Sequence, residues 1–331
     1  MQRAGGMRYT VGMRAVTIAD GRITVADRPD PVPGTGQLLV RVLAAGLNGA
    51  DMMQLRGLYP APPGVPADIP GMELAGEVVA LGEGSTRYHP GDRVMSLVGG
   101  GAQAELAIVD ESVAMPVPAA LDWPAAGGFP EVFTTAHDAL ASQCQLQSGE
   151  RLLVTGAAGG VGTAAVQIGL AIGARVVASV RQPALRSAVA KLGAEVVDPS
   201  EAGEHGPYDV VLELVGGPSF EANLPALAIG GRMAVIGVGG GPRVALDLLT
   251  LMGRRARVMG STLRSRSLEE KALTARRVET ELLPLVETGR LRVIVDEVFA
   301  LESASDAYAR FQSGGKLGKI VLISCALATG A

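Results

Sequence analysis

Val154-Thr-Gly-Ala-Ala-Gly-Gly-Val-Gly162 is the stretch that decides the fold of this chain. It follows the apolar run 151–154 and leads into a long apolar segment that ends near Ile172. This order is typical of a strand, a glycine turn and a helix, in which the glycines allow a tight turn, close approach of backbone N–H groups to a pyrophosphate, and close helix–strand packing. The stretch therefore predicts a dinucleotide site, with contacts from Gly156, Ala158, Gly159, Gly160, Val161 and Gly162.

Composition limits the class of protein. The 331 residues are 48% hydrophobic and 19% charged, which is typical of a globular chain with an ample core. A net charge of −4 argues against a nucleic-acid partner. No apolar span approaches the ~20 residues of a membrane helix, so we expect a cytoplasmic protein without a membrane partner. Cys144 and Cys325 are expected to be free thiols, and residues 1–12 are set aside as an extension.

The pattern of the chain changes near Gly127. Short strands separated by turns precede it and predict a partly open β-barrel, whereas alternating strands and helices follow it and predict a doubly wound parallel sheet. We expect strands over 151–156, 174–180, 194–198, 208–214, 230–237 and 255–262, and helices over 160–172, 183–192, 218–228 and 245–252. Further on, Ser267-Leu-Glu-Glu270 is a capping box that predicts a helix towards Gly289, bent or broken at Pro284. The remaining tail returns to strands and a helix, and we expect it to fold back onto the first part.

The end of the second strand of this sheet indicates which dinucleotide binds. An acidic residue about 20 residues beyond the glycines usually binds the ribose 2′-hydroxyl of NAD. Here that strand ends in Ser179, and no carboxylate follows before Glu195. Arg181 and Arg186 follow instead, and with Ser179 they could bind a 2′-phosphate, so NADPH is favoured. The alternative is that both arginines are solvated helix-face charges.

With these features in hand, the chain resembles the zinc-independent medium-chain dehydrogenases/reductases, and among them the quinone oxidoreductases. Leu263-Arg-Ser-Arg266 points to an NADPH-dependent subgroup with bacterial members. The resemblance runs from Met13 to about Leu322 and is carried by Ala45-Gly-Leu-Asn-Gly-Ala-Asp51, Arg56-Gly-Leu-Tyr-Pro60, Pro70-Gly-Met-Glu-Leu-Ala-Gly76, Gly91-Asp-Arg-Val94, Gly99-Gly-Gly-Ala-Gln-Ala104, Pro130-Glu-Val-Phe-Thr-Thr-Ala136, the glycine turn, and Gly318-Lys-Ile-Val321.

The resemblance implies an α/β protein of two domains. A GroES-like, partly open β-barrel catalytic domain would take residues 13–131 and 265–331, and a Rossmann doubly wound parallel sheet would take residues 132–264. The cofactor would lie in the cleft between them. Members of the family commonly dimerise through the last strand of the Rossmann sheet, here residues 255–261, so a homodimer is expected.

The resemblance also implies that no metal is bound. Asn48 stands where zinc-dependent relatives have a cysteine ligand, and Met72 stands where they have a histidine. The chain offers neither thiolates nor imidazoles in a cluster, which are the ligands that zinc prefers.

Without a metal, the expected chemistry is hydride transfer from NADPH to a quinone or an α,β-unsaturated carbonyl, with hydrogen-bond donors for the developing oxyanion. Asn48 and Tyr59 are the candidate catalytic residues, with turn capping and loop anchoring as their alternatives. Asp51 and Glu73 are expected to be structural. Gly237, Val238 and Gly239 are expected to contact the cofactor, because they follow the fifth strand of the parallel sheet at its ligand-binding end. Thr135 is expected near the nicotinamide, with a helix N-cap role as its alternative, and Leu263 and Lys319 match family positions at the cofactor. Met53 replaces a tyrosine that is frequent in quinone-active relatives, which weakens the case for quinones in particular.

Two other functions stay open at this point. Enoyl reductases acting on thioesters or biosynthetic intermediates share this fold and glycine turn. Some other relatives are non-catalytic structural or RNA-binding proteins that keep the cofactor site, although this chain has no basic or aromatic-rich patch.

Overall fold

The computed structural model of the protein describes residues 12–324. It begins with an antiparallel hairpin of β1 (Gly12–Ala19) and β2 (Arg22–Pro29). The turn at Asp20 and Gly21 has positive φ at both residues, as a two-residue hairpin loop requires. Cys325, whose state was predicted above, and residues 1–11 lie outside the described residues.

A mixed sheet of seven strands combines both ends of the chain. Its order is β14-β15-β3-β4-β5-β7, and β6 pairs with the first half of β3. The tail therefore folds back as predicted, because β15 pairs antiparallel with the end of β3. The strands are β3 (Gln37–Gly46), β4 (Glu73–Leu81), β5 (Arg93–Leu97), β6 (Leu106–Asp110), β7 (Ala114–Pro116), β14 (Val295–Ala300) and β15 (Lys319–Ile323).

A parallel sheet of six strands forms the middle of the chain. Its order, β10-β9-β8-β11-β12-β13, is that of a Rossmann sheet, and the predicted α/β fold class is confirmed. The chain crosses over between β8 and β11, so the carboxyl ends of these two strands flank the expected ligand crevice. The strands are β8 (Arg151–Val154), β9 (Arg175–Ser179), β10 (Glu195–Val197), β11 (Tyr208–Glu213), β12 (Leu227–Val235) and β13 (Arg257–Gly260).

Ten α-helices occur among the described residues: α1 (Gly49–Leu55), α2 (Trp123–Gly127), α3 (Pro130–His137), α4 (Gly160–Ile172), α5 (Pro183–Ala190), α6 (Pro218–Asn223), α7 (Leu248–Arg254), α8 (Leu268–Glu281), α9 (Leu283–Glu287) and α10 (Ala304–Ser313).

The helix after the glycine turn and the Ser267 capping box are as predicted, and the predicted break occurs at Leu282, between α8 and α9, with Pro284 in the first turn of α9. The helix expected over 218–228 is wrong in length, because it ends at Asn223 and one 3₁₀ turn with Pro225 leads into β12. The helix expected over 245–252 begins later, because the Asp247 side chain caps it by accepting from the Leu249 amide. None of the helices in residues 12–324 is long and apolar enough to cross a membrane.

Candidate active site

The glycine turn lies between β8 and α4 with its backbone open to a ligand. Gly156 has a φ of 59°, in the left-handed region that favours glycine. A Cβ on Gly162 would lie 2.5 Å from the Gly156 carbonyl oxygen, so this glycine allows helix and turn to touch. The first turn of α4 has neither an acidic residue nor a side-chain cap, which leaves its N–H groups available for an anion. These residues fit the pyrophosphate of a dinucleotide.

The residues predicted to bind a 2′-phosphate differ in whether their side chains already have hydrogen-bond or ion-pair partners. Ser179 is buried at the end of β9, and its hydroxyl makes no hydrogen bond within residues 12–324. Arg186 forms an ion pair with Asp198 and also donates to the Val180 carbonyl. Arg181 is exposed and has no hydrogen bond or ion pair in the described part of the chain. Of the two arginines, Arg181 is therefore the one whose charge is available.

The other predicted cofactor residues surround the same edge of the sheet. Gly237, Val238 and Gly239 follow the end of β12, and the Gly237 amide donates to the Glu213 carbonyl at 3.2 Å. Leu263 lies beyond β13 and borders a small cavity next to Thr134. Thr135 lies on α3, and its hydroxyl donates to Glu131 at 3.3 Å.

A loop over residues 314–318 crosses the glycine turn, which the sequence reasoning missed. The Gly318 amide donates to the Ala158 carbonyl at 2.8 Å, and Gly159 and Gly318 form an isolated parallel bridge. Lys316 in this loop donates to the Gly318 carbonyl at 2.8 Å, and burial together with the charge of Lys319 lowers its pKa to about 8. The sequence signal that could have indicated this loop is the run Gly-Gly-Lys-Leu-Gly over 314–318.

Behind this loop, Lys319 is the centre of a buried polar cluster. Its side chain is 2% exposed, and Nζ donates to the Leu47 carbonyl at 2.8 Å and to Asn48 Oδ1 at 2.6 Å. Nζ also forms an ion pair with Glu73 Oε1 at 2.6 Å. These three acceptors occupy the three donors of the ammonium group. Lys319 can therefore contact a cofactor through its stem, which lies over Gly160, but its charge faces the seven-stranded sheet.

Asn48 belongs to the same cluster. Its amide nitrogen donates to Glu73 Oε1 at 2.9 Å and lies 3.5 Å from the Gly46 carbonyl, while its oxygen accepts from Lys319. Its backbone amide donates to Asp51 Oδ2 at 2.8 Å at the start of α1. The side chain is 5% exposed, so donation to a substrate, as predicted, would require one of these bonds to break.

Two further carboxyl groups border the cluster, and both have raised pKa values. Burial raises the pKa of Asp51 to about 6, against the hydrogen bonds from the Asn48 and Gly71 amides and the charge of Lys319. Burial likewise raises the pKa of Glu131 to about 7, with the charges of Glu73 and Asp51 adding to the effect and Lys319 opposing it. Protonated carboxyl groups near neutral pH are characteristic of sites that move protons.

Tyr59 lies across from these groups, in the loop after α1. Arg264 fixes this loop, because its guanidinium group stacks 4.8 Å from the Tyr59 ring centre and donates to the Tyr59 carbonyl at 3.1 Å. Arg264 also donates to the Gly99 carbonyl at 2.8 Å and to Gln54 Oε1 at 2.9 Å, and it is 7% exposed. The Tyr59 hydroxyl makes no hydrogen bond within residues 12–324, and burial raises its pKa above the usual value. Arg264 comes from the segment after β13, so it joins the two sheets at this loop.

At the two positions where the resemblance implies zinc ligands in metal-dependent relatives, this chain has Asn48 and Met72. Met72 is buried beside Glu73, and its carbonyl accepts from the Val98 amide. Among residues 12–324, no group of three or more His, Cys, Asp or Glu side chains is arranged to hold a metal ion.

Comparisons with known proteins match both parts of the chain. Residues 34–119 match the family model of the alcohol dehydrogenase GroES-like domain, and residues 172–322 match that of zinc-binding dehydrogenases. Quinone oxidoreductase of Rattus norvegicus is 30% identical over 307 residues, which cover 88% of this chain and 91% of that protein. Acryloyl-coenzyme A reductase of Metallosphaera sedula is 29% identical over 342 aligned residues, covering 94% and 99% of the two chains.

The solved structures agree with this result. An alcohol dehydrogenase superfamily protein from Novosphingobium aromaticivorans superposes with a TM-score of 0.83 at 32% identity, covering 94% of this chain and 99% of that one. The chain therefore belongs to the medium-chain dehydrogenase/reductase family, and it is an oxidoreductase of the nicotinamide-dependent type, with quinone oxidoreductases among its relatives.

Proposed function

We propose that this protein is an NADPH-dependent reductase of quinones or α,β-unsaturated carbonyl compounds that works without a metal. The observation that carries the proposal is the ammonium group of Lys319, which is bonded to Glu73 and to Asn48, the residue that stands where the resemblance implies a cysteine ligand in zinc-dependent relatives. The oxygen atoms of Asn48 and Glu73 that could bind a metal are bonded to the Lys319 ammonium group instead, and the neighbouring Met72 has no imidazole to offer. Similarity to quinone oxidoreductase supports the substrate class.

The residues of the chain divide the work between binding and polarisation. When bound, NADPH supplies the hydride. The glycine turn and the first turn of α4 would bind its pyrophosphate, and Ser179 with Arg181 would bind its 2′-phosphate. The ring of Tyr59, held by Arg264, would form one wall for a flat acceptor, and its free hydroxyl would donate to the acceptor oxygen.

We also propose that two copies associate through the free edge of β13. This strand ends the six-stranded sheet, and α7, the helix that precedes it in the chain, has exposed apolar side chains: Leu248 by 61%, Leu249 by 79% and Met252 by 69%. Light scattering should give twice the mass of the chain, and Val258→Lys on β13 should give a monomer. A monomeric wild type would contradict this proposal without affecting the reductase.

An NADPH-oxidation screen tests the reductase function. Its acceptors should include 1,2- and 1,4-quinones, simple enones and enoyl thioesters, the last because one relative is acryloyl-coenzyme A reductase. We expect turnover of quinones or enones, unchanged by a chelator, with NADPH preferred over NADH. Preference for thioesters would favour the enoyl-reductase alternative, loss of activity with chelator would contradict the metal-free mechanism, and tight NADPH binding without any turnover would favour a non-catalytic role.

A further inference from the structure

We propose that Glu131 is the proton donor to the reduced acceptor. The inference rests on the proposed reductase function and names the acid that this function needs. Hydride addition to a quinone or an enone leaves negative charge on the acceptor oxygen, and a general acid must neutralise it.

Glu131 lies at the start of α3 with one carboxyl oxygen free. Its backbone amide donates to Glu73 Oε2 at 2.8 Å, which fixes the helix start against the buried cluster. Its Oε1 accepts from the Thr135 hydroxyl at 3.3 Å, one helical turn further on. Its Oε2 has no hydrogen bond within residues 12–324 and is not among the atoms sealed from solvent. This oxygen can exchange protons with a substrate or with water.

Titratable groups from five other segments interact with this carboxyl group. Lys319 approaches from β15, Glu73 from β4 and Asp51 from α1. Tyr59, in the loop after α1, and Lys316, in the loop that crosses the glycine turn, also interact with its charge. Glu131 therefore lies between the wall expected for the acceptor and the loop that contacts the phosphate-binding turn.

The neighbouring acids are less suited to the task. Both oxygens of Asp51 accept backbone amides, from Asn48 and Gly71, and its side chain is 0% exposed. Both oxygens of Glu73 are likewise bonded, and it is 0% exposed. The pKa of Tyr59 is raised above 10, which makes its hydroxyl a weaker acid than usual. Burial brings the pKa of Glu131 to about 7, close to the operating pH that favours a general acid.

The step balances without another reactant. The hydride brings both electrons, so the acceptor is reduced and the nicotinamide is oxidised. The O–H bond of the Glu131 carboxyl group breaks, and its proton forms a new O–H bond on the acceptor oxygen. The carboxylate that remains is reprotonated at its free oxygen by hydronium or a buffer acid from the solvent.

The test compares the wild type with Glu131→Gln, Glu131→Asp and the control Glu204→Gln. Glu204 is exposed, and its carboxylate has no hydrogen bond or ion pair in the described part of the chain. Three quantities are measured: kcat against pH from about 5.5 to 9, the Kd for NADPH by fluorescence, and the carboxyl titration of the cofactor-free protein by ¹³C NMR of labelled glutamate. The NADPH Kd also reports whether each variant folds.

We expect the wild-type kcat to fall above pH 7, since the carboxylate cannot donate. In Glu131→Gln, kcat should fall by about 100-fold or more at pH 6.5, the alkaline limb should vanish, and the NADPH Kd should stay within about 2-fold. Glu131→Asp should recover part of the rate with a shifted limb, and Glu204→Gln should match the wild type. The NMR titration should lose one resonance with a midpoint near 7 in Glu131→Gln.

An active wild type whose pH profile is kept in Glu131→Gln would overturn the inference and leave the proposed function standing. The absence of a glutamate that titrates near 7 would do the same. A wild type that reduces no acceptor would overturn the proposed function, and the proton donor with it.

Discussion

Replacing Lys319 by methionine tests the buried cluster that joins the two ends of the chain. Methionine keeps an apolar stem against Gly128 and Gly160 but removes the three bonds to Leu47, Asn48 and Glu73. The Glu73 carboxylate, which is 0% exposed, then has no counter-charge. Breaking one partner of a buried ion pair costs about 3–5 kcal/mol, so Lys319→Met should lower the free energy of unfolding by that amount.

A double-mutant cycle separates the lost charge from the lost packing. Glu73→Gln in the same chain removes the stranded carboxylate, so Lys319→Met/Glu73→Gln should recover at least half of the loss. The assay is equilibrium urea unfolding at pH 7, with Lys191→Met, at an exposed lysine, as the control that should change by less than about 0.5 kcal/mol. A loss below about 1 kcal/mol in Lys319→Met, or a double variant no more stable than the single one, would refute the reasoning.

Four further changes test other parts of the site. Arg181→Ala should weaken NADPH binding by about 10- to 100-fold, since a hydrogen bond to a charged group contributes about 1.5–3 kcal/mol. It should leave NADH binding unchanged. An equal loss of affinity for both cofactors, measured by fluorescence titration, would contradict the 2′-phosphate role. Arg264→Met should release the loop of Tyr59, because it removes the contacts of the guanidinium group with this residue. The KM for the acceptor should rise about 5-fold or more, the NADPH Kd should stay unchanged, and the loop should be proteolysed faster. A variant with the same kinetics and the same rate of proteolysis as the wild type would speak against this role. Glu131→Gln should flatten the pH dependence of the free energy of unfolding. In the wild type the Glu131 carboxyl group has a pKa of about 7 when folded, above the usual 4.5, so the folded protein binds the proton more tightly than the unfolded chain does. The wild type should therefore lose up to about 3 kcal/mol of this free energy as the pH rises from about 4.5 to 7. Gly162→Ala places a Cβ 2.5 Å from the Gly156 carbonyl oxygen and should weaken NADPH binding by more than 10-fold, as calorimetry would show; unchanged binding would mean that the turn is not close-packed around the ligand.

Local patterns predicted most of the fold. The helix over 160–172 was correct at both ends, because glycines bracket it at Gly159 and Gly173. The start of β12 was placed three residues late, since Gly230 looks like a break in sequence but lies inside the strand with positive φ. The strand continues through it because β11 pairs with it on both sides of an irregularity. Tertiary pairing decided this boundary, and no local pattern reports it.

Local sequence patterns bear only on the phosphate-binding half of the proposed site. Glycines and arginines that are close in sequence mark that half. Glu131 was missed because its partners Glu73, Asp51 and Lys319 lie 58 or more residues away and meet only in the folded chain. Lys319 was recognised by family position, but its charge points into the sheet rather than to the cofactor, which depends on where β15 pairs. The domain limits at 131 and 264 and the individual cofactor contacts stay predictions.

The late position of β15 has a consequence for how the protein is made. β3 leaves the ribosome more than 270 residues before the strand that pairs with its end, counting from Gly46 to Val321. Until then the edge of β3 over residues 44–46 is open, and Glu73 lacks the lysine that neutralises it. An open strand edge is a template for association with other chains, so nascent or prematurely terminated chains should aggregate or recruit chaperones. A chain that ends before Lys319 would therefore fail during synthesis rather than at the chemical step.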